Sequence, residues 1–254
     1  VAVKQINGVC FECDFGLDTM VIQMYLGVYE AGTVAVMRRL LAPGDVFVDV
    51  GANVGYISAV GASLVGPEGQ VHSFEPVPEY FIRLQKLAAM NPRYTIVANL
   101  AALGEREGTA RLVMSTTSIG GSTMIPDLVP PDEMGKQIEV PVRRLDAYIR
   151  STGMGPIALI KIDAEGFEYP VLKGLEGYLV DPQHRPVIIV ECVPAAYPSI
   201  GVTLADFAAY MARFGYRARR LDDTRGRPLD ITTLRSTSDV LFVPEAQHCC
   251  VTGY

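Results

Sequence analysis

Lys161, Asp163, Glu165 and Glu168 surround Gly166 in "IALIKIDAEGFEYPVLKGL", where an apolar run stops abruptly and turns charged. Two-residue alternation puts Lys161 and Asp163 on one side of a strand, with Glu165 in the turn that follows. Opposite charges side by side hold a carboxylate ionised and orient a hydroxyl. That is the equipment of a general base, so Asp163 or Glu165 is the candidate base and Lys161 its orienting partner. The competing reading is an ion pair at a helix start, where acids are favoured anyway; it describes Glu168 better than catalysis does. Asp163 and Glu191, both at strand ends, also form a minor candidate pair of magnesium ligands.

A second group lies upstream. "VFVDVGANVGY" carries Asp49, Gly51, Asn53 and Gly55, and "VHSFEP" ends in Glu75. An acid closing the second strand can accept two ribose hydroxyls, which suits an adenosine-containing cofactor. A dinucleotide fingerprint needs G-x-G-x-x-G, and Asn53 occupies the middle glycine's place. Adenosine joined to a charged amino acid fits this turn better than adenosine joined to a diphosphate. That ligand is S-adenosylmethionine. A nicotinamide-dependent oxidoreductase is the alternative enzyme, and a non-catalytic S-adenosylmethionine-binding protein the alternative outside catalysis.

Positioning these residues requires strands that end where the charges begin. "VFVDV" (46–50), "QVHSFEP" (70–76), part of 94–103, "PIALIKID" (156–163) and "RPVIIVEC" (185–192) read as strands. Helical stretches separate them, including one from about Gly55 to Leu64, one from Pro78 to about Met90, and the amphipathic "TLADFAAYMARFG". Alternation of this kind predicts an α/β fold, a Rossmann-like, doubly wound and mainly parallel sheet. "YRARRL" and "DVLFVP" add two last strands and a possible antiparallel edge. Asn7-Gly8 between alternating runs predicts an N-terminal hairpin, followed by a helix over about 33–41. Further strands are expected at 108–114 and after Gln137, and residues 115–135 read as a long loop of the kind that carries function. The predicted organisation is an extension over 1–42, a cofactor-binding domain over 43–245 and a tail over 246–254.

The segments quoted above, with "VPVRRLDAYI" and "YLGVYE", resemble the FkbM-type methyltransferases within the class I S-adenosylmethionine-dependent fold. The resemblance runs over nearly the whole chain, and K-x-D-x-E-G-x-E is its most specific part. It implies a seven-stranded sheet with one antiparallel strand. It also implies methyl transfer to a hydroxyl of a small-molecule acceptor: a sugar, glycolipid or macrocyclic natural product. Carried over as cofactor-binding residues are Asp49, Gly51, Asn53, Gly55 and Glu75. Glu30, in "GVYE", belongs to the similarity without an assigned role.

Composition removes other classes. The 254 residues are 49% hydrophobic and 20% charged, with a net charge of −6, which supports a folded core and disfavours nucleic-acid binding. No apolar run reaches bilayer-crossing length and no leader pattern is visible, so a cytoplasmic protein is the default expectation. Five cysteines at uneven spacing argue against a disulfide framework. Cys10 and Cys13 with His248, Cys249 and Cys250 lack the spacing of a zinc site, and ordinary reduced cysteines are expected. Met114, Met124, Met134 and Met154 are candidates for an adaptable apolar acceptor wall, with loop packing as the plain alternative.

Overall fold

The computed structural model describes residues 1–223 and 226–245, so the predicted tail and its His248, Cys249 and Cys250 lie outside the described residues. In chain order the elements are β1 (Ala2–Ile6), β2 (Val9–Cys13), α1 (Met20–Leu26), α2 (Ala31–Leu40), β3 (Val46–Val50), α3 (Tyr56–Val65), β4 (Gln70–Phe74), α4 (Pro78–Met90), β5 (Thr95–Asn99) and β6 (Ala102–Leu103). They continue with β7 (Gly108–Ser115), β8 (Met134–Arg143), α5 (Leu145–Thr152), β9 (Ile157–Ile162), α6 (Glu168–Lys173), α7 (Glu176–Leu179), β10 (Val187–Cys192), α8 (Leu204–Arg213), β11 (Tyr216–Arg220) and β12 (Ser238–Pro244).

Seven strands form the central sheet in the order β11-β12-β10-β9-β3-β4-β5. β12 runs antiparallel to both its neighbours and the other pairings are parallel. The expected doubly wound sheet with one antiparallel strand is therefore present. From β3 the chain winds out to β5 and returns on the other side at β9. The strand order reverses between β3 and β9, which is where an open α/β sheet leaves a crevice beyond its carboxyl ends.

All five residues of β3 are buried, as expected of a strand covered on both faces. Alternate side chains feed two cores. Val46, Val48, Ile160, Ile162 and Ile188 enter one, while Phe47, Leu159, Ile189 and Leu241 enter the other. On that second face every row changes character toward the same end of the sheet. Phe47 gives way to Asp49, Leu159 to Lys161 and Asp163, Ile189 to Glu191, and on antiparallel β12 Leu241 to Asp239. The register pairs Asp49 with Lys161 and Glu191 with Asp239, so these polar residues form one patch.

The hairpin forms as predicted, with Asn7 and Gly8 at φ 46° and 94°, the left-handed pair that matches strand twist. It is tied to the end of α4. Asn91 accepts from Cys10 N–H at 2.7 Å and donates to Cys10 C=O at 2.8 Å. Two readings need correction, and one element is additional. The single strand placed within 94–103 is two, because β6 leaves the central sheet and joins a separate three-stranded sheet, β6-β8-β7. The strand after Gln137 begins earlier, at Met134, and pairs with β7. Helix α1 has seven residues, too short to show a clear helical period in sequence.

Candidate cofactor and active site

The turn after β3 is shaped by what lies against it. Gly51 has φ +78°, and a Cβ there would stand 1.7 Å from the Asp163 carbonyl oxygen, so the end of β9 passes directly over this glycine. Gly55 has φ +89° and Asn53 φ 52°, left-handed positions that glycine and asparagine tolerate best. Each amide of the turn is already engaged. Gly51 and Ala52 donate to Phe74 C=O, Gly55 donates to Ala52 C=O, Asn53 donates to Glu75, and Val54 donates to the Asn53 side chain. A diphosphate would find no free donors here, and would meet the Glu75 carboxyl.

Glu75 is 4% exposed and lines a cavity of about 320 Å³. Its two oxygens accept from Asn53 N–H and Val77 N–H, both at 2.8 Å, and each oxygen keeps a lone pair for a further donor. Burial pushes its pKa up to about 7, against the pull of those two amides. A carboxyl held this way suits a pair of ribose hydroxyls. Gly51, Asn53 and Glu75 line the cavity; Gly55 shapes the turn behind it. Asp49 is fully buried and is not among the lining residues. Its Oδ2 accepts from Ser58 Oγ at 2.6 Å, and Ser58 in turn meets Ser73 Oγ at 2.8 Å. Burial raises the Asp49 pKa to about 6, opposed by Lys161 and Ser58. Asp49 thus acts from behind the wall, on Ser58 of α3 and on the charge of Lys161.

Below β9, β10 and β12 the cavity becomes acidic. Lys161 is 3% exposed, and its Nζ donates to Asp163 Oδ2 at 2.7 Å and to Glu30 Oε1 at 3.2 Å. Burial opposes the Lys161 charge, but Asp163, Glu30 and Asp49 outweigh it and its pKa is raised well above the ordinary value. Among the described residues lining the cavity, Lys161 is the one cation beside Glu30, Asp163, Glu165, Glu191 and Asp239. Burial and then Asp163 lift Glu165 to about 8 and Glu191 to about 10, and burial then Glu30 lift Asp239 to about 6. Carboxylate oxygens of Asp163, Glu165 and Glu191 lie within 4.8 Å of one another, near enough for a divalent cation to bridge. The Lys161 ammonium already brings positive charge to the same place.

The turn carrying Glu165 is held firmly. Glu165 has φ 49°, a strained position for a non-glycine residue, and its carbonyl accepts from Thr123 Oγ1 at 2.6 Å. Glu168 is fully buried and accepts from Ala164 N–H at 3.2 Å and Gly166 N–H at 2.7 Å, so it braces the turn from outside the cavity. That matches the structural role expected of it.

Three further contributors to the cavity have no residue-level role assigned from sequence. Glu30, at φ 45° in front of α2, closes the acidic end and has one buried oxygen without a hydrogen-bond partner among the described residues. Tyr29 lines the cavity beside it and packs edge-on against Tyr56. Ile119, Gly120 and Ser122, from the segment between β7 and β8, form part of the cavity wall. The expected methionine wall is only partly there: Met124 lines the cavity with Met20 and Met24, whereas Met134 is 38% exposed and Met154 packs against the opposite core. His72 is buried in β4, with Nδ1 2.8 Å from the Tyr148 hydroxyl.

The sheet order, the switch-point cavity and the strand-end Glu75 are those of a Rossmann-like fold with a site suited to an adenosine-containing ligand. Residues 49–218 match the methyltransferase FkbM domain, and the chain belongs to the FkbM methyltransferase family. Among its relatives, 31-O-demethyl-FK506 methyltransferase FkbM of Streptomyces tacrolimicus is 31% identical over 161 residues, covering 54% of this chain and 61% of that protein. Methyltransferase sdnD of Sordaria araneosa is 28% identical over 190 residues, covering 63% of this chain and 71% of that protein. The crystal structure of methyltransferase FkbM from Methylobacillus flagellatus KT shares the fold, with TM-score 0.50 and 18% identity over 89% of this chain and 55% of that one. This chain therefore spans about three fifths of the first relative's length. Among the described residues no single helix is long and apolar enough to cross a membrane.

Proposed function

We propose that the chain methylates a hydroxyl oxygen of a small-molecule acceptor, with Glu165 as general base and the Lys161–Asp163 pair orienting the hydroxyl. The observation that carries this is Glu165 itself. It is a cavity-lining carboxyl in strained backbone, with a pKa near 8, beside a buried ion pair.

Bound S-adenosylmethionine supplies an electrophilic methyl carbon on a sulfonium. Glu75 would hold the ribose hydroxyls, and the turn that opens at Gly51 would support the rest of the cofactor. A neutral hydroxyl is a weak nucleophile, so accepting its proton contributes typically about 10²–10⁴-fold in rate. Glu165 with a pKa near 8 binds that proton more tightly than an ordinary glutamate would. Lys161, fixed between Asp163 and Glu30, keeps Asp163 in one orientation toward the acceptor. Met20, Met24 and Met124 add apolar surface to the same cavity. The relative named for a methylated oxygen, 31-O-demethyl-FK506 methyltransferase, is consistent with oxygen transfer.

The test is release of S-adenosylhomocysteine on incubation with S-adenosylmethionine and a panel of hydroxylated and aminated natural-product fragments. Turnover should require a hydroxyl and rise with pH through about 8. Glu165→Gln should lower it about 10²–10⁴-fold without weakening S-adenosylhomocysteine binding. Turnover confined to amines would refute the assignment.

A further inference from the structure

Asn53 is placed in the cofactor turn, yet its side chain points its donor elsewhere. Nδ2 donates to the Ile119 carbonyl at 2.8 Å, while Oδ1 accepts from Val54 N–H at 2.7 Å. Both ends of the amide are used within the protein. Ile119 belongs to the segment between β7 and β8, and its own N–H donates to Asp18 Oδ2 at 3.2 Å, ahead of α1. One residue of this strap is therefore pinned from two walls, by its carbonyl to the cofactor turn and by its amide to the N-terminal segment. Four residues on, Thr123 pins the same strap to a third wall through the Glu165 carbonyl, at 2.6 Å.

A continuous chain of hydrogen bonds results. The Asn53 N–H donates to Glu75, the Asn53 side chain donates to Ile119, and Ile119 donates to Asp18. Ile119, Gly120 and Met124 line the cavity along this strap, so fixing the strap completes the acceptor wall.

We infer that Asn53 is a positioning residue rather than a cofactor ligand: its side-chain amide couples cofactor binding at Glu75 to ordering of the strap over 116–124, so that the acceptor wall is completed after the cofactor has bound. The inference rests on Glu75 holding the cofactor. A ligand that immobilises the Glu75 carboxyl immobilises the Asn53 amide that donates to it. The same residue's Nδ2 then holds Ile119. Left-handed backbone at Asn53 keeps the two donors pointing in different directions, one at each partner.

Asn53→Asp separates this role from folding of the turn. Aspartate keeps an oxygen for Val54 N–H and tolerates the left-handed backbone, but sets a carboxylate oxygen against the Ile119 carbonyl. The experiment is amide hydrogen exchange of peptides covering 116–133, with and without S-adenosylhomocysteine, alongside calorimetry with the same ligand. In the wild type the ligand should slow strap exchange at least tenfold. In Asn53→Asp the ligand should bind within a few-fold of wild-type affinity while strap exchange no longer responds. Asp18→Asn should speed strap exchange with and without ligand alike, preserving the ratio. Equal protection of the strap in Asn53→Asp, or loss of the ratio in Asp18→Asn, would overturn the assignment to Asn53. Loss of ligand binding in Asn53→Asp would return Asn53 to the cofactor's own contacts. Wild-type binding with no change in strap exchange would overturn the coupling alone, whereas absence of wild-type binding would overturn the cofactor site on which it rests.

Discussion

Replacing Lys161 by methionine keeps the apolar stem and removes the charge at the centre of the acidic cluster. Lys161 has a side chain 4% exposed, while Asp163 and Glu30 retain 19% and 18% exposure. Removing one partner of a buried pair costs about 3–5 kcal/mol, because the other charge is left uncompensated. Water reaches both carboxylates here, so the lower end applies, about 3 kcal/mol. For a chain of this size that is a fall in Tm of about 6–12 °C. The loss must depend on pH, and its sign follows from the remaining acids. Burial already holds Glu165 near 8 and Glu191 near 10, and without Lys161 their folded-state pKa values rise further. A group raised on folding stabilises fully below its unfolded pKa and loses that contribution as pH climbs through the folded one. The deficit of Lys161→Met should therefore grow as pH climbs past the wild-type folded values, from about 6 for Asp49 and Asp239 and from about 8 for Glu165, each of which Lys161 holds down. Urea unfolding of both proteins at pH 5.5, 7 and 8.5 measures it. A deficit under about 1 kcal/mol, or one that does not increase with pH, would mean that Lys161 is not the charge that holds this cluster together.

Two further substitutions probe the cofactor half. Glu75→Gln turns one of two amide-accepting oxygens into a donor facing a backbone N–H, and hydrogen bonds to charged groups carry about 1.5–3 kcal/mol. S-adenosylhomocysteine affinity should fall about 10–100-fold by calorimetry, and wild-type affinity should rise through pH 7 as Glu75 ionises, a dependence the variant lacks. Gly51→Ala forces a Cβ to within 1.7 Å of the Asp163 carbonyl and should displace the end of β9, abolishing ligand binding. Gly44→Ala serves as its control: φ is also positive, +93°, but among the described residues nothing lies within 4 Å of the added Cβ, so the cost should be the backbone strain alone, about 1–2 kcal/mol in urea unfolding.

The parts of this molecule that were legible in sequence are those fixed by neighbours along the chain. Strand β9 announces itself because five of its six residues are apolar, and its end is marked where Lys161 and Asp163 break the run. Glu75 is legible for the same reason, as an acid closing a strand just before a proline-started helix. What sequence could not show is which distant backbone crosses which. Gly51 reads as a glycine that lets a ligand approach, and the structure shows that what approaches is the Asp163 carbonyl. Asp49 reads as a residue facing the cofactor, yet pairing of β3 with β4 and β9 sets it between Ser58 and the charge of Lys161. Glu30 stands 131 positions from Lys161, and no local pattern links them. A periodicity argument sees one strand or helix at a time, whereas this cavity takes its acids from a helix cap, four strand ends and a turn. The same physics explains why the two halves differ in legibility. The cofactor half is built by one strand-turn-helix unit and the strand beside it, so its residues stay close in sequence. The acceptor half is assembled from the N-terminal segment, the strap and the last strands, and only folding brings these together. On the proposed function, the segments that would meet the acceptor are those where local reading has least purchase, and the pin between Asn53 and Ile119 is where they join the cofactor turn.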